Sequence, residues 1–158
     1  MRGPAILPGS MCGLLLVLAA PAQAGTASGT LPVILTVLPG CAVSAAPLAF
    51  TAAAGRAAEA DAPIEVRCSS ETGVEVWLDE GQHAVGGRRR LAGEGGAAVP
   101  YAIYTDPART RLWTGSPIIA RAGPLQALRL VAYGRIEPTA TAVRAGEYSD
   151  TVAVTVAF

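Results

Sequence analysis

Residues 150–158 read DTVAVTVAF, and this closing stretch decides the class of fold. Its large apolar residues recur at every second position, with threonine or alanine between them, and they are Val152, Val154, Val156 and Phe158. Successive side chains of a β-strand point to opposite faces, so the alternation predicts a strand with one buried face. An ordinary last strand is the simplest interpretation. However, most domains end in frayed polar residues, so a terminal phenylalanine on the buried face needs a further reason.

The same alternation recurs along the chain before this strand. Strands are predicted within residues 31–38 (LPVILTVL), 64–68, 74–78, 99–103 and 128–132. Residues 63–79 are predicted to form a hairpin with its turn at 69–73, and residues 51–62 a connection. Glycine and proline clusters separate the later strands. Short strands with turns between them predict an all-β, antiparallel sandwich.

The N-terminus has the pattern of a secretory signal in residues 1–24. Arg2 precedes an apolar stretch at 13–20 (GLLLVLAA), and residues 22–24 (AQA) form a small-x-small cleavage site. We therefore expect an exported chain that begins at Gly25. No later uncharged segment reaches the length of about 20 residues that a membrane-spanning helix needs. The remaining length suits one domain.

Charge and composition argue against several functions. Twelve arginines balance twelve acidic residues, lysine is absent, and the longest like-charge run is residues 88–90 (RRR), so no nucleic-acid partner is expected. This run is predicted to face solvent, with binding of an anionic surface or polysaccharide as the alternative. The aromatic residues Tyr101, Tyr104, Trp113 and Tyr133 are predicted to serve packing, with a sugar-stacking platform as the alternative.

The cysteines predict one covalent link. Removal of the signal would leave only Cys41 and Cys68, and two cysteines in an exported chain indicate a disulfide. His83 is the only histidine, and no group of acid, base and nucleophile converges in the sequence. We therefore expect no enzyme activity, no metal site and no cofactor.

Several short motifs resemble the spore coat protein U family, which includes Csu-type subunits of archaic chaperone-usher pili. They are residues 39–43 (PGCAV), 66–69 (VRCS), 101–106 (YAIYTD), 111–113 (RLW), 133–136 (YGRI) and 145–152 (AGEYSDTV). The resemblance covers nearly all of the chain after the predicted signal. Ala102 departs from the pattern, because the family often has a polar residue there.

The resemblance implies an incomplete immunoglobulin-like sandwich that is completed by donor-strand complementation. Residues 25–35 would be the N-terminal donor-strand extension and residues 36–158 the pilin domain, although the sequence leaves open where the donor ends and the first strand begins. The residues that would enter the next subunit's groove are Ala27, Gly29, Leu31, Val33 and Leu35. The groove and the chaperone-binding strand would be formed by Val152, Val154, Val156 and Phe158.

The implied partners are other pilus subunits, a periplasmic chaperone and an outer-membrane usher. The chain would pass through the periplasm to a cell-surface fibre that takes part in adhesion and biofilm formation. The alternative is a non-polymerising secreted β-sandwich, either a coat protein whose N-terminus completes its own sheet or a carbohydrate-binding module. The sequence does not distinguish a main subunit from a minor adaptor or a tip.

Overall fold

A computed structural model describes residues 25–53, 55–138 and 143–158. The predicted signal, residues 1–24, lies outside the described residues. The chain divides into two units, Met1–Thr36 and Val37–Phe158. In the described part of the first unit, residues 25–36, there is neither helix nor strand, and every side chain is exposed.

Within the described residues, the second unit contains ten strands and one short 3-10 helix, Glu94–Gly96. The strands are β1 (Cys41–Ala45), β2 (Ala58–Cys68), β3 (Thr72–Leu78), β4 (Arg90–Gly93), β5 (Ala98–Pro100), β6 (Ala102–Tyr104), β7 (Ile118–Ala122), β8 (Leu128–Ile136), β9 (Tyr148–Ser149) and β10 (Val154–Ala157). All strand pairs are antiparallel. The all-β antiparallel class predicted from the alternation is confirmed.

Three sheets build this unit. The first has the order β1-β2-β8-β6, the second β10-β3-β7, and the third, smaller sheet β5-β4-β9. The inward residues of β2 and β3 form the centre of the core, with Val66 and Val76 both fully buried. The outer face of the first sheet is charged, because Glu59 and Glu65 on β2 pair with Arg135 and Arg129 on β8.

The predicted hairpin over residues 63–79 is wrong. Strand β2 pairs with β1 and β8, whereas β3 pairs with β10 and β7, so the two consecutive strands lie in different sheets. Each strand has the alternation expected of it, but alternation identifies only the buried face and not the strand that supplies the hydrogen bonds. Residues 69–71 therefore connect one sheet to the other.

Two further boundaries differ from the prediction. Residues 31–38 alternate as a strand would but have no strand structure, because a strand requires a hydrogen-bonding neighbour and none pairs with them in the described residues. Strand β2 begins at Ala58, inside the stretch that we interpreted as a connection. By contrast, Val99, Tyr101 and Ile103 are all buried, as their alternation predicted.

Among the described residues, no helix has the length and apolar character needed to cross a membrane.

Candidate strand-accepting groove

The C-terminal strand β10 lies at the edge of its sheet. It pairs with β3 on one side, with Val154 opposite Leu78 and Val156 opposite Val76, and no strand within the described residues pairs with its other side. Residues directly opposite each other in an antiparallel pair point to the same face. Leu78 and Val76 are buried, so Val154 and Val156 point inward too, yet both remain half-exposed.

Strand β1 is the corresponding edge of the first sheet. Its register places Val43 opposite Val66 and Ala45 opposite Ile64, and both partners are buried. Val43 and Ala45 therefore face the interior, but Val43 is 40% exposed and Ala45 is exposed as well. Two edge strands, one from each sheet, thus carry inward apolar side chains that the described structure covers only in part.

An apolar cavity of about 320 Å³ opens between the sheets beside β10. Its wall includes Ile64 of the first sheet, Leu78 of the second, and Val152 and Val154 of the C-terminal segment. A second cavity of about 730 Å³ adjoins it and shares part of its lining. Of the predicted groove residues, Val152, Val154 and Val156 are half-buried on the inward face, whereas Phe158 is 57% exposed at the end of the chain.

The connection between β1 and β2 covers part of this opening. Leu48 and Phe50 line both cavities, and the Phe50 ring lies 6.2 Å from the Tyr101 ring between centroids. Gly134 on β8 makes room for these side chains, since a Cβ atom there would lie 2.6 Å from the Phe50 ring and 2.8 Å from a Leu48 methyl group. Packing of Leu48 and Phe50 against β8 therefore explains why the YGRI motif has glycine at this position.

The disulfide is present. Cys41 and Cys68 are joined across the first residue pair of β1 and β2, with an S–S distance of 2.06 Å. It ties the start of the edge strand β1 to a strand in the middle of the sheet. The predicted pairing is confirmed.

A polar cluster holds the segment that leads into β10. The Asp150 side chain is 1% exposed, and its carboxylate accepts hydrogen bonds from the Tyr101 hydroxyl at 2.7 Å and from His83 Nδ1 at 3.0 Å. Burial by itself would raise the pKa of Asp150, but hydrogen bonds from Tyr101 and His83 outweigh it and hold that pKa below its usual range. Burial, and then the nearby Asp150 carboxylate, raise the pKa of the Tyr101 hydroxyl.

Sequence reasoning missed this cluster. It assigned His83 no catalytic or metal-binding role and predicted that residues 88–90 face solvent. In the structure Arg89 is 6% exposed and donates to the carbonyl oxygens of Asp79 at 3.0 Å and Trp113 at 3.0 Å. Asp150 belongs to the motif at residues 145–152, which was the one indication in the sequence that this residue matters. Its contact with His83 could not be predicted, because the two residues are 67 positions apart in the chain.

The aromatic residues do not form a joint platform for sugars. Trp113 is 1% exposed and Tyr101 is 9% exposed, so both belong to the core as predicted. Tyr104 and Tyr133 are half-buried and lie directly opposite each other in the pair β6–β8. No group of three or more His, Cys, Asp or Glu side chains that could hold a metal ion occurs in the part of the chain that the structure describes.

The predicted donor residues all lie in the described part of the first unit. Leu31 is 86% exposed, Val33 88% and Leu35 83%, and Ala27 and Gly29 are exposed too. Their assignment as a donor strand stays a prediction.

The geometry defines a class of protein: an antiparallel β-sandwich with an apolar cavity beside the edge strand β10, the fold class of chaperone-usher pilus subunits. The family follows from the sequence. The Spore Coat Protein U domain matches residues 27–155, and the chain belongs to this family. No curated protein sequence matches the chain.

Two solved structures are similar to the chain. One is the CsuC-CsuE chaperone-tip adhesion subunit pre-assembly complex from the archaic chaperone-usher Csu pili of Acinetobacter baumannii, with 27% identity and a TM-score of 0.58 over 78% of this chain and 40% of that chain. The other is a chaperone-tip adhesin complex of CFA/I fimbriae, with 10% identity and a TM-score of 0.44 over 72% and 40%. The chain thus spans well under half the length of either matched chain.

Proposed function

We propose that this protein is a structural subunit of an exported surface fibre, an archaic chaperone-usher pilus, and that it polymerises by donor-strand exchange. The observation that carries the proposal is the apolar cavity beside the open edge of β10. Val43 on β1 and Val154 and Val156 on β10 point into the core and are only partly covered. A strand added along the open edge of β10 would lie beside this cavity and cover Val154 and Val156.

The extension of a neighbouring subunit is suited to this position. Within residues 25–35, Leu31, Val33 and Leu35 are apolar at every second position, and their side chains are exposed. An extended segment that pairs with an open edge gains main-chain hydrogen bonds, while alternate side chains that enter the groove set its register. Burial of three or four such side chains would contribute roughly 5 to 10 kcal/mol, an upper estimate by area.

An open groove requires protection before assembly. Unpaired strand edges and exposed core residues favour aggregation, so a periplasmic chaperone would occupy the groove first and an outer-membrane usher would exchange it for the next extension. The similarity to a chaperone-tip adhesion subunit complex supports a chaperone as the first partner. No cofactor enters this scheme. The fibre would serve adhesion and biofilm formation at the cell surface.

Substitutions in the extension test the proposal. Leu31→Asp or Val33→Asp places a charge on the face that would enter the groove, so we expect loss of polymers with chaperone binding retained. Ile34→Asp is the matched control, because Ile34 is equally exposed and apolar but lies on the opposite face of the same segment. The measurement is polymer ladders on gels of unheated samples, together with chaperone co-purification.

The alternative function is a secreted sandwich that does not polymerise, either a coat protein or a carbohydrate-binding module. A stable monomer in which residues 25–35 complete their own sheet would support it. If Leu31→Asp, Val33→Asp and Ile34→Asp all polymerised like the unaltered chain, the extension would not be the donor in this register.

A further inference from the structure

The apolar pattern of β10 does not define the strand's own register. Val152, Val154 and Val156 recur at every second position with alanine or threonine between them. A slip of one residue against β3 would turn the valines outward. This slip is unfavourable, because it would expose apolar side chains to water and turn threonine and alanine toward the core. A slip of two residues would again place a valine opposite Leu78, so hydrophobic burial hardly distinguishes that register from the observed one.

The pairing of β10 gives little further protection against such a slip. Only four residues, Val154–Ala157, pair with β3, and the other edge has no partner among the described residues. A slip of two residues would move the end of the chain along the groove by about 7 Å. The register therefore needs a fixed point outside the strand.

Asp150 has the contacts of such a fixed point. Oδ1 accepts hydrogen bonds from the main-chain N–H of His83 at 3.1 Å and from its ring Nδ1 at 3.0 Å, and Oδ2 accepts one from the Tyr101 hydroxyl at 2.7 Å. After a slip of two residues this place would be taken by Tyr148 or Val152. Neither has a carboxylate, so the buried Tyr101 hydroxyl and the His83 donors would lose their acceptor.

The loop after β3 is arranged around this carboxylate. Asp79 donates its N–H to the Ala153 carbonyl at 3.1 Å, and its Oδ1 accepts the Ala153 N–H at 2.9 Å and the Gly81 N–H at 2.9 Å. Gly81 has a φ of +83°, and a Cβ atom at this position would collide with the Asp150 carboxylate. The loop thus holds both ends of the segment 150–153.

We propose that Asp150 is a positioning residue that fixes the register of β10 and thereby places the valines and the chain end along the strand-accepting groove. Asp150 acts through β10 and not by touching an incoming strand. The consequence for strand acceptance rests on the proposed function, whereas the register itself does not.

Cysteine pairs across β10 and β3 report the register. Thr155 lies opposite Trp77, so Trp77→Cys with Thr155→Cys reports the observed register, and Trp77→Cys with Ala153→Cys or Ala157→Cys reports a slip of two residues in either direction. Directly opposite residues have a Cα spacing that a disulfide can bridge, whereas diagonal neighbours lie beyond most disulfides. The cross-links are measured by peptide mass in the full chain after export in its own host.

With Asp150 present, we expect a cross-link only in the variant that combines Trp77→Cys with Thr155→Cys. With Asp150→Ala, this cross-link should cease to be the main product, and cross-links of the slipped pairs should appear. Asp106→Ala is the matched control. Asp106 is also a shielded loop carboxylate, which accepts hydrogen bonds from Thr110 and Arg111, and its removal should leave the observed register unchanged.

Retention of the observed register alone in Asp150→Ala would overturn the proposal. If that variant yields no folded protein, Asp150→Asn is tested in its place. A mixture of observed and slipped cross-links in Asp150→Asn would support the proposal. The observed cross-link alone, or failure of Asp150→Asn to fold, would overturn it. Chaperone co-purification is a separate readout. A slipped variant that still bound chaperone at full yield would leave the register proposal standing and count against the proposed function.

Discussion

The buried carboxylate of Asp150 links two parts of the fold by hydrogen bonds. Asp150 joins the third sheet, through Tyr101 beside β5, to the loop after β3, through His83. A buried charge is tolerated only where hydrogen bonds replace its hydration. The Asp150 carboxylate accepts three such hydrogen bonds. Arg89 follows the same rule with carbonyl oxygens as its partners.

The shifted pKa of Asp150 predicts a dependence of stability on pH. A carboxyl whose folded pKa is lowered stabilises the fold above its unfolded pKa, near 4, and this contribution is lost as pH falls toward the folded pKa. The unaltered chain should therefore exceed Asp150→Asn in free energy of unfolding at pH 7, with the difference shrinking below about pH 4. Urea unfolding from pH 7 to pH 3 measures it. A difference that stays constant down to pH 3 would contradict this assignment.

The disulfide supports a second prediction at the level of residues. Cys41→Ser with Cys68→Ser removes the link between β1 and β2 and should reduce the free energy of unfolding by roughly 3 to 4 kcal/mol. Urea unfolding measures the loss, and reduction of the unaltered chain should reproduce it. Equal stability with and without the link would show that the unfolded chain is not constrained by it.

Under the proposed function, the elements that would accept a strand are the two edge strands. Strand β1 is covalently held at its first residue, Cys41, and the segment that leads into β10 is held by the contacts of Asp150. The inward side chains of both strands stay partly accessible. Such anchoring would favour binding of a strand, because less of the groove would have to be ordered during binding.

Removal of the end of β10 tests the role of this element. Deletion of residues 156–158 takes away Val156 and Phe158 and two of the four residues that pair with β3. We expect the truncated subunit neither to bind chaperone nor to accumulate, as measured by co-purification from the periplasm. Leu31→Asp, which changes only the extension, should co-purify normally. Full-yield co-purification of the truncated chain would make the secreted module the better interpretation.

At the largest scale, the described part of the second unit is a sandwich whose core borders two open cavities. Fifteen buried apolar residues form one core cluster, yet the cavities of about 320 and 730 Å³ lie against it. Such a domain should be marginally stable by itself and should gain stability from any strand that fills the opening. This behaviour separates the proposed fibre subunit from a self-contained sandwich.

A peptide of residues 25–38 should therefore raise the thermal midpoint of a subunit that lacks its own extension. The shift should grow with peptide concentration, because a ligand that binds only the folded state stabilises it by mass action. Differential scanning fluorimetry measures it. The same peptide with Leu31→Asp and Val33→Asp is the control and should have no effect, and equal shifts with both peptides would argue against binding in the groove.

Alternation and the cysteine count were sufficient to predict the all-β class, the strand faces and the disulfide. Alternation is a local property, because successive side chains of a strand point to opposite faces. Val154 and Val156 therefore share one face whatever strand lies beside them, and the larger apolar residues identify that face as the inward one. The two cysteines left after the predicted signal had no other partner than each other. The family resemblance likewise rests on motifs that are contiguous in the chain.

Which strands are neighbours and which are edges could be learned from the folded chain alone. It separated β2 from β3, buried Arg89, and brought His83 to Asp150. These outcomes depend on hydrogen bonds between residues far apart in the chain and on the burial of their polar groups. The alternation of apolar residues along one strand contains no information about such contacts. The open edge of β10 is an outcome of the same kind, because an edge exists only where a neighbouring strand is missing.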